Sequence, residues 1–258
     1  MRRIVVFSYG VACYGVFLVT LLYAIGFLGN FGVPKSIDSR PEGSVAVALA
    51  IDAGLLALFA LQHSVMARPW FKRMWTRFVP EPAERSTYVL FSSVAMLLMF
   101  WQWRAIGGVL WHVDGVAQAM IYALYGLGLG IVLLSTFLIS HFDLFGLRQV
   151  YLYLVGRKYT HLQFRTPALY KHVRHPLYVG WLLTFWAAPI MTVAHLFFAI
   201  MTTAYILVAI RFEESDLIAV HGEKYKQYRK QVPMLVPALG AKAAAQKSEV
   251  PPRMAAAS

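Results

Sequence analysis

From Leu177 to Ile210 the chain runs for about 34 residues without an Asp, Glu, Lys or Arg. As one α-helix this stretch would be about 51 Å long. The hydrocarbon core of a bilayer is only about 30 Å thick, so a single crossing would demand extreme tilt. Pro189 falls near the middle, in Pro189-Ile-Met-Thr-Val-Ala-His195, and proline removes a helical hydrogen bond where it stands. The simplest solution is a helical hairpin of two shortish arms. Its polar ends, Tyr170–Gly180 and Arg211–Glu214, then meet at one membrane face.

Four further apolar runs, at about 4–28, 44–67, 87–107 and 118–142, each approach the roughly 20 residues that a crossing requires. With 59% hydrophobic residues, 14% charged ones and a mean hydropathy of +0.57, the chain lies outside the range of soluble domains. The fold class expected is an all-α integral membrane protein, a polytopic bundle of about five to six transmembrane helices. Met1-Arg-Arg3 precedes an apolar run of about 25 residues, long enough to span, and reads as a retained first helix rather than a cleaved signal. The single cysteine, Cys13, excludes an intrachain disulfide.

Charge placement tests the hairpin. Arg2 and Arg3, the basic residues of loops 68–86 and 143–176, and eight more from Arg211 onward share one side if 177–210 crosses twice. Only Lys35, Arg40 and Arg104 lie opposite. That asymmetry fits the positive-inside rule with both termini cytoplasmic, in an inner membrane. It also explains the net charge of +12 without nucleic acid as a partner. The expected organisation is N-terminal transmembrane helices over 1–142, a core carrying the hairpin over 143–237, and a flexible cytoplasmic tail over 238–258. Gly126, Gly128 and Gly130 lie inside the fourth run with no preceding strand, so they read as close helix packing rather than a dinucleotide loop.

Several side chains mark a site. Pro176 suits the first position of a helix, which leaves His175 just outside it. The free N–H groups there favour an anion such as a ligand carboxylate. Gly180 permits close approach of a backbone or ligand. Glu213 and Glu214, acidic among many basic residues, offer a partner to a cationic ligand. The plainer alternative is that Arg174, His175, Glu213 and Glu214 are juxtamembrane residues that pair with one another.

The segment Tyr170-Lys-His-Val-Arg-His-Pro-Leu-Tyr-Val-Gly180, followed by Glu213-Glu-Ser-Asp-Leu217 and Gly222-Glu-Lys-Tyr-Lys-Gln-Tyr-Arg-Lys-Gln-Val-Pro233, resembles the isoprenylcysteine carboxyl methyltransferase superfamily. The resemblance implies S-adenosylmethionine as cofactor, held in a cytoplasmic pocket by Gln163, Phe164, Tyr170, His175, Pro176, Tyr178 and Glu213, with Gly180 beside them. Leu61-Gln-His-Ser64, Glu84-Arg-Ser-Thr-Tyr88 and Ser140-His-Phe-Asp143 resemble its NnrU-like branch. This implies a small-molecule thiol, methanethiol, as methyl acceptor and dimethyl sulfide as product.

A thiolate attacks far better than a thiol, and a simple thiol titrates at or above roughly 8.5. A base or cationic neighbour is therefore sought among His141, Asp143, Arg211 and Glu214, the catalytic candidates; His141 as a plain span-end hydrogen-bonding residue is the alternative. Trp181, Phe185 and Trp186 are candidate walls of a small acceptor pocket, or ordinary packing aromatics. Asp52 and the Gln62-His63-Ser64 cluster are polar groups within a span, where function and helix-to-helix hydrogen bonding compete. His172 and His175 have metal-ligand spacing, but Pro176 interrupts the helix that would align them, and no metal is expected. The competing functions are a methyltransferase for a lipid or prenylcysteine carboxylate and a non-catalytic NnrU-like accessory membrane protein.

Overall fold

The computed structural model describes residues 1–41, 43–160 and 162–237; the 238–258 tail lies outside them. Six helices make up most of the bundle among the described residues. These are α1 (Arg2–Gly29), α2 (Val45–Met66), α4 (Glu84–Gln102), α5 (Gly115–Ile139), α8 (Pro176–Trp186) and α9 (Val193–His221). Short helices α3 (Pro69–Trp75), α6 (His141–Leu144), α7 (Leu147–Leu154) and α10 (Glu223–Gln231) sit between or after them. Helices α1, α2, α5 and α9 are each long and apolar enough to cross a membrane. Their outward faces carry Val19, Leu22, Val47, Leu58, Leu127, Leu133, Leu207 and Val208, all exposed. An apolar exterior of that extent is what hydrocarbon, not water, solvates. The chain is an all-α polytopic membrane protein.

The final apolar run does double back, with unequal arms. Helix α8 has 11 residues and α9 has 29, where two short arms were expected. Helix α8 stops because residues 187–192 run extended into strand β2 (Ile190–Thr192), which pairs antiparallel with β1 (Val109–His112). The non-helical backbone there is satisfied: Val113 N donates to Pro189 O at 2.9 Å, and Trp111 Nε1 donates to Ala188 O at 3.0 Å. Irregular backbone among apolar helices persists only where protein supplies such partners. The third apolar run also ends earlier than expected, at Gln102. Trp103 turns extended and buries completely, its indole donating to Ile37 O at 3.2 Å.

Helix α8 packs most extensively on α5, through two glycines set back to back. A Cβ at Gly128 would lie 2.7 Å from Gly180 O, and one at Gly180 would lie 2.7 Å from Gly128 O. Gly126 and Gly130 meet nothing within 4 Å. Only the middle glycine of the three is therefore used for close packing. The largest apolar core, with Phe27, Phe100, Trp103 and Phe198, fills the strand end of the bundle. The opposite end, where α8 begins and α9 finishes, is the polar one.

Candidate active site at the open end of the last hairpin

His175 takes the N-cap position of α8 and Pro176 its first turn, as the proline spacing requires. The preceding backbone is tied down by the segment after α10: Arg174 N donates to Pro233 O at 2.9 Å and His175 N to Met234 O at 3.2 Å. The first turn of α8 thus presents the Leu177 and Tyr178 N–H groups without helical acceptors.

Two adjacent carboxylates of α9 reach this cap. Glu214 is buried and takes three cations or donors: Arg174 Nε at 2.8 Å, His175 Nε2 at 3.1 Å and Arg229 Nη1 at 3.7 Å. Arg174 also donates from Nη1 to Val232 O at 2.6 Å and to Arg229 O at 2.9 Å. This guanidinium is therefore committed to tying α8, α9 and α10 together. Glu213 accepts from Tyr178 Oη at 3.0 Å and has His175 Nδ1 at 3.9 Å. Its side chain remains 46% exposed. Of the pair, Glu213 is the carboxylate with room for a ligand.

Aromatic residues form the adjoining wall. Phe164 packs its ring 5.1 Å from His221, 5.8 Å from Tyr225 and 5.5 Å from Tyr228. Tyr228 Oη donates to Tyr170 O at 2.6 Å. Burial, with Glu213 next in effect, pushes the Tyr170 phenol above the ordinary tyrosine value. Burial likewise pushes Tyr228 up to about 12. These phenols are neutral hydrogen-bond donors at any physiological pH. Gln163 is exposed beside Phe164. Gly180 turns its open side to α5, against Gly128 and Val132.

The catalytic candidates divide. His141 lies in a separate knot: Nε2 meets Tyr14 Oη at 2.7 Å, Nδ1 meets Thr136 Oγ1 at 2.9 Å, and the ring stacks on Phe137 at 4.4 Å. Asp143 pairs with Arg148 at 2.8 Å and accepts from Tyr159 Oη at 3.3 Å. Both side chains are hydrogen-bonded to other protein groups, His141 to Tyr14 of α1 and Thr136 of α5, and Asp143 to Arg148 of α7 and Tyr159 beyond it. Arg211 is exposed on α9. Trp181 and Phe185 stack at 5.5 Å, and Phe185 then meets Phe198 edge-on at 5.2 Å. Trp186 donates to Thr203 Oγ1 at 3.0 Å. This aromatic run lines the α8–α9 seam, deeper than the carboxylates.

The sequence named Arg174 only as one of four juxtamembrane residues that pair with one another, and did not single out Arg229, Tyr225 and Tyr228 as the wall. Helix α10 carries the last three, and its polar composition gave no sign that it folds back against α9. Among the described residues, no three His, Cys, Asp or Glu side chains are grouped to hold a metal ion.

A protein of Crocosphaera subtropica named methanethiol S-methyltransferase is 62% identical over 243 residues, covering 94% of this chain and 95% of its own. The chain belongs to the methanethiol S-methyltransferase family. A relative of the same name from Mycobacterium tuberculosis is 52% identical over 92% of this chain and 98% of its own. Nurim of Xenopus laevis is 31% identical over 70% of this chain and 66% of its own. No protein-family model and no solved structure matches the chain.

Proposed function

We propose that the protein methylates methanethiol to dimethyl sulfide with S-adenosylmethionine as donor, and that the donor binds where α8 begins and α9 ends. The observation that carries the reading is the unequal use of the two carboxylates. Glu214 is consumed by Arg174, His175 and Arg229, while Glu213 stands half-exposed beside Tyr178.

The donor's chemistry fits this set of groups. Glu213 offers a negative charge to its ammonium or sulfonium, the α8 N-terminus offers N–H groups to its carboxylate, and Phe164 with Gln163 offers a flat face and an amide to its base. When bound, the sulfonium supplies an electrophilic methyl group. The protein's own residues do the rest by position: His175 and Pro176 fix the helix start, and Tyr178 holds the Glu213 carboxylate in place. Aligned reactants in model systems gain up to roughly 7–11 kcal/mol from such positioning. Trp181 and Phe185 lead from the carboxylates into the bundle along the α8–α9 seam and form an apolar approach for a small thiol. The basic end of the bundle is cytoplasmic in this reading, in keeping with the positive-inside rule, and 143–237 acts as the methyltransferase core.

The test is direct. Protein purified in detergent and supplied with S-adenosylmethionine and methanethiol should release dimethyl sulfide into the headspace. Glu213→Gln should weaken donor binding, measured calorimetrically, by about 10- to 100-fold, the loss of one charge-assisted hydrogen bond of about 1.5–3 kcal/mol. Donor binding unchanged by that substitution would overturn the assignment of the carboxylate. Methylation of a prenylcysteine but not of methanethiol would overturn the acceptor.

A further inference from the structure

Helix α10 and the residues after it grip the entry to α8 at two points. Tyr228 donates its phenol hydroxyl to Tyr170 O at 2.6 Å. At the next position Arg229 O accepts from Arg174 Nη1 at 2.9 Å, and the Arg229 guanidinium stands 3.7 Å from Glu214. Val232 O and Pro233 O take further N–H groups of Arg174, at 2.6 Å and 2.9 Å. The stretch from Tyr170 to Arg174, which leads into the His175 cap, is thus held at both ends. The Tyr228 ring also packs 5.5 Å from Phe164, which meets His221 and the buried Tyr225 as well.

The turn that Tyr228 reaches is strained. Ala168 opens the short 3₁₀ turn Ala168–Lys171 with a φ of 39°. In that region an L-residue sets its Cβ against a carbonyl oxygen, and glycine is the residue that settles there without such a cost. A strained backbone persists where its surroundings over-determine it. Inside the turn, Tyr170 N donates to Pro167 O at 2.9 Å and His172 N to Leu169 O at 3.0 Å. Residues 162–167, leading into it, are neither helix nor strand. From outside the turn, the Tyr228 hydroxyl fixes the Tyr170 carbonyl.

We infer that Tyr228 is a positioning residue for the methyl donor: acting through Tyr170, it holds the Ala168–Lys171 turn in the strained form that sets Phe164 and Tyr170 against the His175 cap. The inference rests on the methyl-transfer reading and adds to it a residue that works one contact away from the donor's own ligands. Tyr228→Phe keeps the ring beside Phe164 but frees Tyr170 O. The turn can then relax at Ala168, and apparent donor affinity falls with the fraction of molecules that keep the binding-competent turn. Glycine at position 168 carries no such strain. Ala168→Gly should therefore offset the loss of the hydroxyl.

Three measurements on the full chain in detergent test this. Tyr228→Phe should weaken S-adenosylmethionine binding about tenfold by calorimetry, the loss of one neutral hydrogen bond. Its kcat at saturating donor and its KM for methanethiol should match the wild type. The double variant Tyr228→Phe/Ala168→Gly should regain most of the lost affinity. In wild-type protein the donor should slow hydrogen exchange at the Tyr170 and His172 amides, both bonded inside the turn, by about tenfold or more. Wild-type donor affinity in Tyr228→Phe overturns the inference. So does a loss that Ala168→Gly fails to restore, which makes Tyr228 a general prop of the fold. Turn amides whose exchange the donor leaves unchanged overturn it even if neither variant folds. Wild-type protein that binds no donor would instead refute the methyl-transfer reading.

Discussion

Consecutive helical positions point about 100° apart, and that angle separates the roles of Glu213 and Glu214. Glu214 turns inward to Arg174 and His175, whereas Glu213 turns towards Tyr178 and the opening. Removing a buried charge partner strands the other charge, which typically costs about 3–5 kcal/mol. Glu214→Ala should therefore lower the thermal midpoint sharply, while Glu213→Gln should leave it nearly unchanged. His141 offers a second residue-scale test. Burial holds its imidazole below the ordinary histidine value, so the unfolded chain takes up a proton first. Stability contributed by neutral His141 is present above roughly pH 6.5 and lost as the pH falls below it. The drop in thermal midpoint between pH 7 and pH 5 should be smaller in His141→Asn than in the wild type; an equal drop would show that His141 is not a source of it.

At the scale of elements, the contact of α5 with α8 fixes where the cap of α8 stands. Because Gly128 and Gly180 bring two backbones together, Gly128→Ala must push the helices apart. Overpacking of this kind costs about 1–3 kcal/mol, and here it would also shift His175 and Tyr178, so donor affinity should fall with stability. Gly130→Ala, which meets nothing within 4 Å, should change neither. The three glycines look alike in the sequence, and their spacing announces packing without saying which one faces the partner. The hairpin was more legible: a proline inside an uncharged run too long for one crossing forces a break. The length of each arm was not, because β2 exists only through pairing with β1, about 80 residues earlier in the chain. Of the partners of Arg174, Glu214 was legible, whereas the main-chain acceptors at the far end of α10 were hidden.

Across the whole molecule, the two ends of the bundle are built for different tasks. The strand end is held by a large apolar core and by a buried polar latch, in which Thr192 Oγ1 donates to Asp38 and His195 Nδ1 stands 3.5 Å from the same carboxylate. The other end gathers the basic loops, the Glu213–Glu214 pair and the aromatic wall of α10. Everything assigned to that end requires the chain to return to the face from which α8 departs. Cys13 is buried and is the one cysteine of the sequence, so its replacement by serine gives a clean background for labelling. Single cysteines at Lys171 and Lys224, placed before α8 and after α9, should both react with a membrane-impermeant maleimide from the same side of sealed vesicles. Labelling of the two from opposite sides would contradict the return of the chain and, with it, the shared pocket.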